Sequence, residues 1–451
     1  MENFTSQEDT ICALATPTGG ALGIIRVSGY QAFPIVSSIC SLCCDTIAAN
    51  TTRYTRIRTP KGDTLDEVLV SVFRAPHSYT GENSIEISFH GSPYIAQQLL
   101  SLLIQQGCRQ ANPGEFTQRA FLNGKMDLSQ AEAVADLIAS TNRATHHLAI
   151  NQLRGGISSE LTTLRDQLLH LTSLLELELD FSDHEDLEFA DRSKIQALAE
   201  AIEQRIDRLM QSFQAGQAIK QGVPVAIVGK TNVGKSTLLN RLLKEERAIV
   251  SDIHGTTRDT IEDCIDIHGV TFRFIDTAGL RKTDDTIERI GIERTYNAIQ
   301  RARIILWVTD GSPSQTEMNE MTKLSEGKEL LIVRNKVDLQ PNHSESDSCI
   351  PISAQEGTGL SLLEERIYHA AHIPKIAEDS IVVTNARHYQ SLLSAHESLQ
   401  RVLVGLSDSL SADLLAEDLR LVLDHLADIT GGQITPQETL ETIFREFCVG
   451  K

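Results

Sequence analysis

The sequence lacks the features that would assign it to a membrane or to a secretory pathway. No apolar run in its 451 residues approaches the ~20 residues that a membrane-spanning helix needs. The first residues also lack the basic-then-apolar order of a signal peptide. Its 8 cysteines are scattered, as is typical of reduced thiols. We therefore expect a cytoplasmic protein with no membrane association.

Positive charge is also scarce, which bears on what the chain can bind. There are 41 Lys and Arg residues against 61 Asp and Glu residues, a net charge of −20. Such a surface repels nucleic acid, so any contact with RNA needs a local basic patch or a partner protein. Cys40, Cys43 and Cys44 lie close together, but no second pair or histidine follows at zinc spacing, which favours small buried residues over a metal site.

The chain length suggests about three domains of ~150 residues each, and the hydrophobic pattern divides it into four segments. Residues 1–120 predict a mixed α/β domain, with strands over Thr10–Thr16, Ala21–Ser28, Thr64–Phe73 and Ser84–Phe89 and a helix over Pro93–Gln106. Residues 121–215 and 377–451 predict helices, and residues 216–376 carry α/β nucleotide motifs. We therefore expect a helical domain that is split by an inserted domain, with a boundary marked by Gly216 and Gly222.

One predicted helix carries a leucine-rich stripe at spacings of four and three, formed by Ile157, Leu161, Leu164, Leu168, Leu171 and Leu175. Such a stripe is most often a seam within a helical bundle and only sometimes a dimer contact. Further helices are predicted over Arg192–Gln214, Arg387–Leu406, Ala412–Thr430 and Pro436–Phe447. The acidic run Glu176–Asp191 favours a solvated helix end and linker.

A phosphate-binding loop forms the centre of the inserted segment. A buried strand over Val223–Val228 runs into G-x-x-x-x-G-K-S, from Gly229 to Ser236, and an amphipathic helix follows. The glycines let the backbone wrap round a pyrophosphate, and the helix N-terminus adds its positive end. We expect Lys235 to reach the β- and γ-phosphates and the Ser236 hydroxyl to bind Mg²⁺.

Further motifs follow at GTPase spacing: Gly255-Thr256-Thr257, then Asp276-Thr277-Ala278-Gly279, then Asn335-Lys336-Val337-Asp338. The Asp338 carboxylate can accept from both N–H groups of guanine, whereas adenine offers no such pair, so the motif selects GTP over ATP. Ser353 and Ala354 close the base pocket. We expect GTP contacts at Asn232, Val233, Gly234, Lys235, Ser236, Thr237, Ser251, Asp252, Ile253, His254, Gly255, Thr256, Thr257, Asp276, Thr277, Ala278, Gly279, Asn335, Lys336, Asp338, Ser353 and Ala354.

The catalytic glutamine of Ras-type enzymes, which orients the attacking water, has no counterpart here. Leu280 stands in its place and cannot hydrogen-bond, and no arginine finger can be identified. Something cationic must therefore replace the arginine. Asn232 and the loop of residues 251–256 offer oxygen atoms that suit a monovalent cation such as K⁺. Glu288 is the candidate for positioning the water, although it is one acid among several.

The first segment contains three clusters that packing alone does not explain. They are Thr16–Arg26, Ala75–Glu82 followed by Glu86, and Asn112–Lys125. Arg26 and Glu86 lie in mostly apolar strands. Alternation alone leaves open whether they are exposed strand residues or functional groups.

Together these motifs resemble the family of tRNA-modification GTPases known as MnmE or TrmE, over nearly the whole chain. The resemblance rests on Gly19–Arg26, Pro76–Glu82, Pro113–Phe116, the phosphate-binding loop with Asn232, Gly255–Asp259, Asp276–Arg281 and Phe447–Lys451. Val449 departs mildly from the family's terminal C-[IL]-G-K, and Lys230 stands where the family often has arginine.

The resemblance implies a fold class of α/β plus all-α: an N-terminal α/β domain that binds folate and dimerises, a discontinuous helical domain and an inserted Ras-like P-loop GTPase domain. It implies that a 5-formyltetrahydrofolate-type cofactor contacts Arg26, Glu86, Lys125 and Lys451. It further implies that Ser236 and Thr257 bind Mg²⁺, that Asn232, Ser251, Ile253 and Thr256 enclose K⁺, and that Glu288 places the water through a bridging solvent molecule.

The family's function is implied in the same way. Its members are homodimers that join the FAD-dependent partner MnmG in a heterotetramer and modify carbon 5 of the wobble uridine of certain tRNAs to the (carboxymethyl)aminomethyl form. The acidic composition fits tRNA being held mainly by the partner. The alternative is a regulatory GTPase of ribosome assembly, which shares the GTPase motifs but needs no pocket of Arg26, Glu86 and Lys125. A helical dimerisation scaffold with a decayed GTPase is disfavoured because the phosphate, Mg²⁺ and base residues are all present.

Overall fold

The structure is a computed structural model that describes residues 9–180, 192–245, 263–275, 296–339, 349–373, 381–408, 410–432, 440, 443–444, 447 and 450. The chain divides into two compact units. The first comprises Met1–Ala135, Gln152–Asp166 and Arg420–Lys451, and the second comprises Asp136–Asn151 and Gln167–Leu419.

The described residues form both helices and strands. The strands are β1 (Thr10–Leu14), β2 (Leu22–Ser28), β3 (Thr51–Arg58), β4 (Thr64–Phe73), β5 (Ser84–His90), β6 (Cys108–Gln110), β7 (Val223–Val228), β8 (Asp263–Ile267), β9 (Val270–Phe274), β10 (Ile304–Thr309), β11 (Glu329–Arg334) and β12 (Cys349–Pro351). The helices are α1 (Ala32–Ile39), α2 (Pro93–Gln105), α3 (Glu115–Leu122), α4 (Leu128–Ala139), α5 (Arg143–Leu153), α6 (Gly156–Asp180), α7 (Arg192–Gln221), α8 (Lys235–Glu245), α9 (Gln315–Leu324), α10 (Leu360–Ala370), α11 (Ala386–Ser407) and α12 (Ala412–Thr430). Residues 296–301 are also helical.

The first unit contains a six-stranded sheet in the order β3-β4-β5-β2-β1-β6. Neighbouring strands are antiparallel except β1 and β6, which are parallel. One sheet face is buried together with apolar side chains of α1 and α2. The predictions for β1, β2, β4 and β5 are confirmed to within two residues at each end. The pattern did not reveal β3 and β6, because the outer strand β3 exposes three arginines and β6 has only 3 residues.

The second unit contains another six-stranded sheet, in the order β12-β11-β10-β7-β9-β8. All pairs are parallel except β8 and β9, which form an antiparallel hairpin. Strand β10 is buried along almost its whole length, as expected for a parallel sheet covered on both faces. The carboxyl ends of β7, β10, β11 and β12 share one edge, where ligands bind to open α/β sheets.

The helices predicted within the described residues are present, with one correction to their bounds. All six residues of the leucine-rich stripe on α6 are buried. The predicted end of α7 at Gln214 is wrong, because the helix continues through Gly216 to Gln221. A Cβ on Gly216 would lie 2.2 Å from the Val383 carbonyl oxygen, so this glycine admits a neighbouring segment instead of ending the helix. The helix ends at Gln221, and the next residue, Gly222, has a φ of +78°.

The predictions for α11 and α12 are confirmed to within a residue. The acidic residues of 176–180 belong to α6, while 181–191 and most of the predicted helix over Pro436–Phe447 lie outside the described residues. None of the described helices combines the length and apolar character needed to cross a membrane. The described cysteines are all free thiols.

Candidate functional site

The phosphate-binding loop lies between the end of β7 and the start of α8 at Lys235. Gly229 and Gly234 have φ values of +148° and +96°. A Cβ on Gly229 would lie 2.2 Å from the Val308 carbonyl oxygen, and one on Gly234 would lie 2.2 Å from Asn335 Nδ2. The ends of β10 and β11 therefore approach so closely that only glycine fits at these two positions.

Lys235 is a half-buried cation inside this loop. Its Nζ donates to the carbonyl oxygens of Gly229 at 2.6 Å and Lys230 at 2.5 Å. Burial lowers the pKa of Lys235, because the charged form loses hydration. Neutral carbonyl groups are its partners among the described residues, so its charge is suited to an anionic ligand such as a phosphate.

Asn335 connects the phosphate-binding loop to the predicted base pocket. Its side-chain Nδ2 donates to the Val233 carbonyl oxygen at 2.8 Å, and its Oδ1 accepts from the Ala354 N–H at 2.9 Å. Asn335 is only 4% exposed. In addition, Lys336 Nζ donates to the Asn232 carbonyl oxygen at 2.6 Å. Three motifs that are distant in sequence thus meet at one sheet edge.

The residues predicted to contact the base lie beside this junction. Asp338 is exposed within the short helical turn Val337–Leu339, and Leu339 is 72% exposed. Ser353 is buried, and its N–H donates to the Thr358 carbonyl oxygen at 2.9 Å. An accessible carboxylate beside an apolar side chain offers both a polar edge and a surface on which a base can lie.

Other predicted nucleotide residues are only partly accounted for. Ser236 is half-buried and Thr237 is exposed in the first turn of α8. The remaining nucleotide, metal and water-positioning residues lie outside the described ranges; they are Ser251, Asp252, Ile253, His254, Gly255, Thr256, Thr257, Asp276, Thr277, Ala278, Gly279 and Glu288.

Sequence reasoning missed an ion pair on the outer side of the loop. Lys230 Nζ lies 2.5 Å from Glu317 Oε1. Glu317 also accepts from the Ser314 N–H at 2.9 Å in a capping box at the start of α9. Hydrogen bonds from Lys230 and Ser314 lower the pKa of Glu317 to about 2. The S-x-x-E spacing signals the cap in the sequence, but nothing there signals its connection to the loop.

The first unit holds a second candidate site around Arg26 and Glu86. These residues are opposite each other on β2 and β5, and Arg26 Nε and Nη2 lie 3.0 and 2.8 Å from Glu86 Oε1. Their side chains are 15% and 28% exposed. Arg26 and Glu86 are therefore not ordinary exposed strand residues, because most of each side chain is buried and the two pair with each other.

Aromatic rings and the end of the chain surround this pair. The Arg26 guanidinium lies 5.1 Å from the ring centre of Tyr79 and 5.6 Å from that of Phe116. Burial raises the pKa of Tyr79. Arg26 Nη1 donates to the Gly450 carbonyl oxygen at 3.5 Å. Lys451, which follows, lies outside the described residues.

Lys125 is the remaining predicted folate residue. Its Nζ donates to the Pro76 carbonyl oxygen at 2.9 Å. Pro76 and Tyr79 belong to the same loop. The predicted residues Arg26, Glu86 and Lys125 are thus connected through one loop, and their two cations and one carboxylate suit a ligand that has both anionic groups and ring N–H donors.

An ionic cluster in the same unit was not recognised from the sequence. It consists of Asp9, Glu82, Arg109, Glu115 and Arg119. Burial acts to raise the pKa of Glu115, but hydrogen bonds from Arg109, the Asn112 N–H and Arg119 outweigh it, and the pKa lies below its usual value. The charged residues within Asn112–Lys125 were a signal, whereas the participation of Asp9 had none.

A family model described as the GTP-binding protein TrmE N-terminus matches residues 10–125, and one described as the MnmE helical domain matches residues 128–448. The chain is 22% identical to the G domain of the T. maritima FeoB iron transporter, with a TM-score of 0.26 and coverage of 33% of this chain and 99% of that one. The chain is 26% identical to Era in a complex with MgGDPNP and a 16S ribosomal RNA segment, with a TM-score of 0.24 and coverage of 39% of this chain and 65% of that one.

Similarity to curated relatives extends over nearly the full length. The tRNA modification GTPase MnmE of Bacteroides fragilis (strain YCH46) is 53% identical over 469 residues, covering 98% of this chain and 100% of the relative. The protein of the same name from Phocaeicola vulgatus is 51% identical over 495 residues, covering 98% and 99%. The one from Porphyromonas gingivalis is 48% identical, covering 98% of each. With half of the residues identical along both units, the chain belongs to the MnmE family of tRNA modification GTPases.

Proposed function

We propose that this protein is a K⁺-dependent GTPase that modifies carbon 5 of the wobble uridine of certain tRNAs to the (carboxymethyl)aminomethyl form. It acts in the cytoplasm as a homodimer, in a heterotetramer with the FAD-dependent partner MnmG, which holds most of the tRNA. The observation that carries the proposal is the junction at Asn335, where the phosphate-binding loop, the guanine motif and Ala354 meet. Membership of the MnmE family supplies the tRNA context.

The roles of the nucleotide residues follow from this geometry. The loop amides, the N-terminus of α8 and Lys235 bind the phosphates, and Asp338 accepts from the guanine N–H groups. Ser236 and Thr257 would hold Mg²⁺, which would neutralise charge that develops on the phosphate oxygens. Because Leu280 cannot orient a water molecule, we assign that role to Glu288.

Potassium is assigned to Asn232 and the loop of residues 251–256. Lys336 Nζ donates to the backbone carbonyl oxygen of Asn232, and the side-chain carbonyl of Asn232 offers a further oxygen for a cation. Ser251, Ile253 and Thr256 complete the proposed enclosure. A cation there replaces the charge that an arginine finger supplies in other GTPases.

The site in the first unit suits a 5-formyltetrahydrofolate-type cofactor, which when bound supplies a one-carbon unit. We assign to Glu86 the role of accepting hydrogen bonds from ring N–H groups, and to the cations Arg26, Lys125 and Lys451 the binding of the anionic tail. The two aromatic rings beside Arg26 offer apolar surface to a planar heterocycle.

We also propose a division into four segments. They are a folate-binding and dimerisation domain at 1–120, the first part of the helical domain at 121–215, the GTPase domain at 216–376 and the second part of the helical domain at 377–451. Two separate sheets support the first and third segments. Helices α11 and α12 support the fourth.

Nucleoside mass spectrometry of tRNA tests the function. Deleting the gene is expected to leave the wobble uridine unmodified, and the wild-type gene should restore the modified nucleoside. A gene encoding Lys235→Ala should fail to restore it, because the phosphates lose their half-buried cation. A normal nucleoside profile in the deletion strain would rule out the proposed function.

Potassium dependence is expected in the rate of GTP hydrolysis. The rate should be higher in KCl than in NaCl at equal ionic strength, and Asn232→Ala should abolish the difference. Glu288→Ala should lower turnover while leaving GTP affinity nearly unchanged, as for a group that acts in the transition state. Equal wild-type rates in the two salts would remove K⁺ from the mechanism.

A further inference from the structure

The loop of residues 75–83 is held by α3 and the turn that follows it. The Tyr79 hydroxyl and Thr117 Oγ1 are 2.8 Å apart, and Asn123 Nδ2 donates to the Thr80 carbonyl oxygen at 2.7 Å. Arg119 Nη1 donates to Glu82 Oε1 at 3.1 Å. This loop carries Tyr79, which lies over Arg26, and Pro76, whose carbonyl holds Lys125. The loop's position therefore sets the position of two groups in the candidate folate site.

Among these contacts, the ion pair between Arg119 and Glu82 is the most costly to disturb. The side chains are 11% and 18% exposed, so each charge depends on its partner for solvation. Glu82 Oε2 also accepts from Ser28 Oγ at 2.7 Å, which ties the loop to β2. Arg119 is itself fixed by Asp9 Oδ1 at 2.6 Å and Glu115 Oε1 at 3.0 Å.

We propose that Arg119 and Glu82 are positioning residues for the one-carbon carrier: their ion pair fixes the loop of residues 75–83 so that Tyr79 and Lys125 meet the bound folate. The proposal rests on the folate site assigned above. Among the described residues, the partners of this pair are Ser28, Asp9 and Glu115 and not the predicted folate contacts. The pair thus acts through the loop and does not touch the ligand.

Binding of 5-formyltetrahydrofolate to the full-length chain tests this role. Glu82→Gln keeps the size of the side chain and a hydrogen-bond acceptor but removes the charge. Arg119→Lys keeps the charge but loses the planar guanidinium that donates to several partners at once. We expect Glu82→Gln to weaken binding by about tenfold or more, because a charge-assisted hydrogen bond is lost and the loop is less ordered before binding. Arg119→Lys should weaken it less than Arg119→Met does.

Hydrogen exchange in the absence of folate supplies the readout that general destabilisation would not give. Amides of residues 75–83 should exchange faster in Glu82→Gln, while the strands of the second sheet exchange as in the wild type and GTP affinity is unchanged. The control is Glu67→Gln, which breaks the exposed Arg56–Glu67 pair, 2.9 Å apart in the same sheet as Arg26. That variant should bind folate as the wild type does.

The outcomes separate the two proposals. If the wild-type protein does not bind 5-formyltetrahydrofolate, the folate site of the proposed function is wrong. If the wild type binds it and Glu82→Gln binds equally well, or if binding weakens with no change in exchange at residues 75–83, the positioning role is wrong. Should Arg119→Met fail to fold, Glu82→Gln and Arg119→Lys still decide the matter.

Discussion

Replacing Gly234 with alanine is expected to lower the affinity for GTP by about a hundredfold or more, since backbone strain and a lost buried hydrogen bond each cost about 1–3 kcal/mol. The residue has a φ of +96°, which strains any residue with a side chain. Its new Cβ would lie 2.2 Å from Asn335 Nδ2. Asn335 must then move, and the loop loses the contact that joins it to Ala354.

Titration with a fluorescent GTP analogue measures this effect, and circular dichroism checks that the chain is folded. The matched control is Gly311→Ala, because Gly311 follows β10 in the same unit and a Cβ there meets nothing within 4 Å. That variant should bind GTP like the wild type. Equal affinity of Gly234→Ala and wild type would show that the close approach of Asn335 does not shape the nucleotide site.

Asp338→Asn is expected to exchange guanine for xanthine recognition. The carboxylate accepts two hydrogen bonds from guanine, whereas the asparagine amide donates to the oxygen that xanthine carries in place of the guanine amino group. We expect GTP affinity to fall by about a thousandfold, because two hydrogen bonds to a charged group are lost, and XTP binding to appear. Competition between GTP and XTP for the fluorescent analogue measures both changes.

The gain of XTP binding distinguishes altered base recognition from misfolding, because a misfolded variant would bind neither nucleotide. Glu320→Gln on α9 serves as the control, because it removes an exposed acid from the same unit and should leave both affinities unchanged. If Asp338→Asn kept its preference for GTP and bound no XTP, then Asp338 would not be the acceptor for the base.

The features that could be predicted from the sequence are those formed by residues that lie close together along the chain. The phosphate-binding loop is one contiguous stretch in which strand, glycines and helix follow in order, so its position was predicted from the sequence, and α8 begins at Lys235, near the end of the motif. The stripe on α6 is likewise a periodic pattern within one helix. The prediction at Gly216 was wrong because the sequence does not distinguish a glycine that allows close approach of another backbone segment from a glycine that ends a helix.

In both candidate sites, individual residues could be predicted from the sequence, but the contacts between them could not. Asn335 and Lys235 were identified within short motifs, but the hydrogen bond from Asn335 to Val233 spans 102 residues of chain and depends on the order of the strands in the sheet. The pairing of Arg26 with Glu86 depends on the register between β2 and β5. The contact of Arg119 with Asp9 joins residues 110 positions apart, for which no spacing rule exists.

The sequence by itself determined the GTPase motifs, the alternation of α/β and helical segments and the family resemblance, because each is written in residues that are neighbours along the chain. Only the tertiary structure decided which charges are paired, that the loop of residues 75–83 contacts both Arg26 and Lys125, and why Gly216 lies inside a helix. The physical reason is that strand register and close packing bring together residues whose separation in sequence carries no information about their contact.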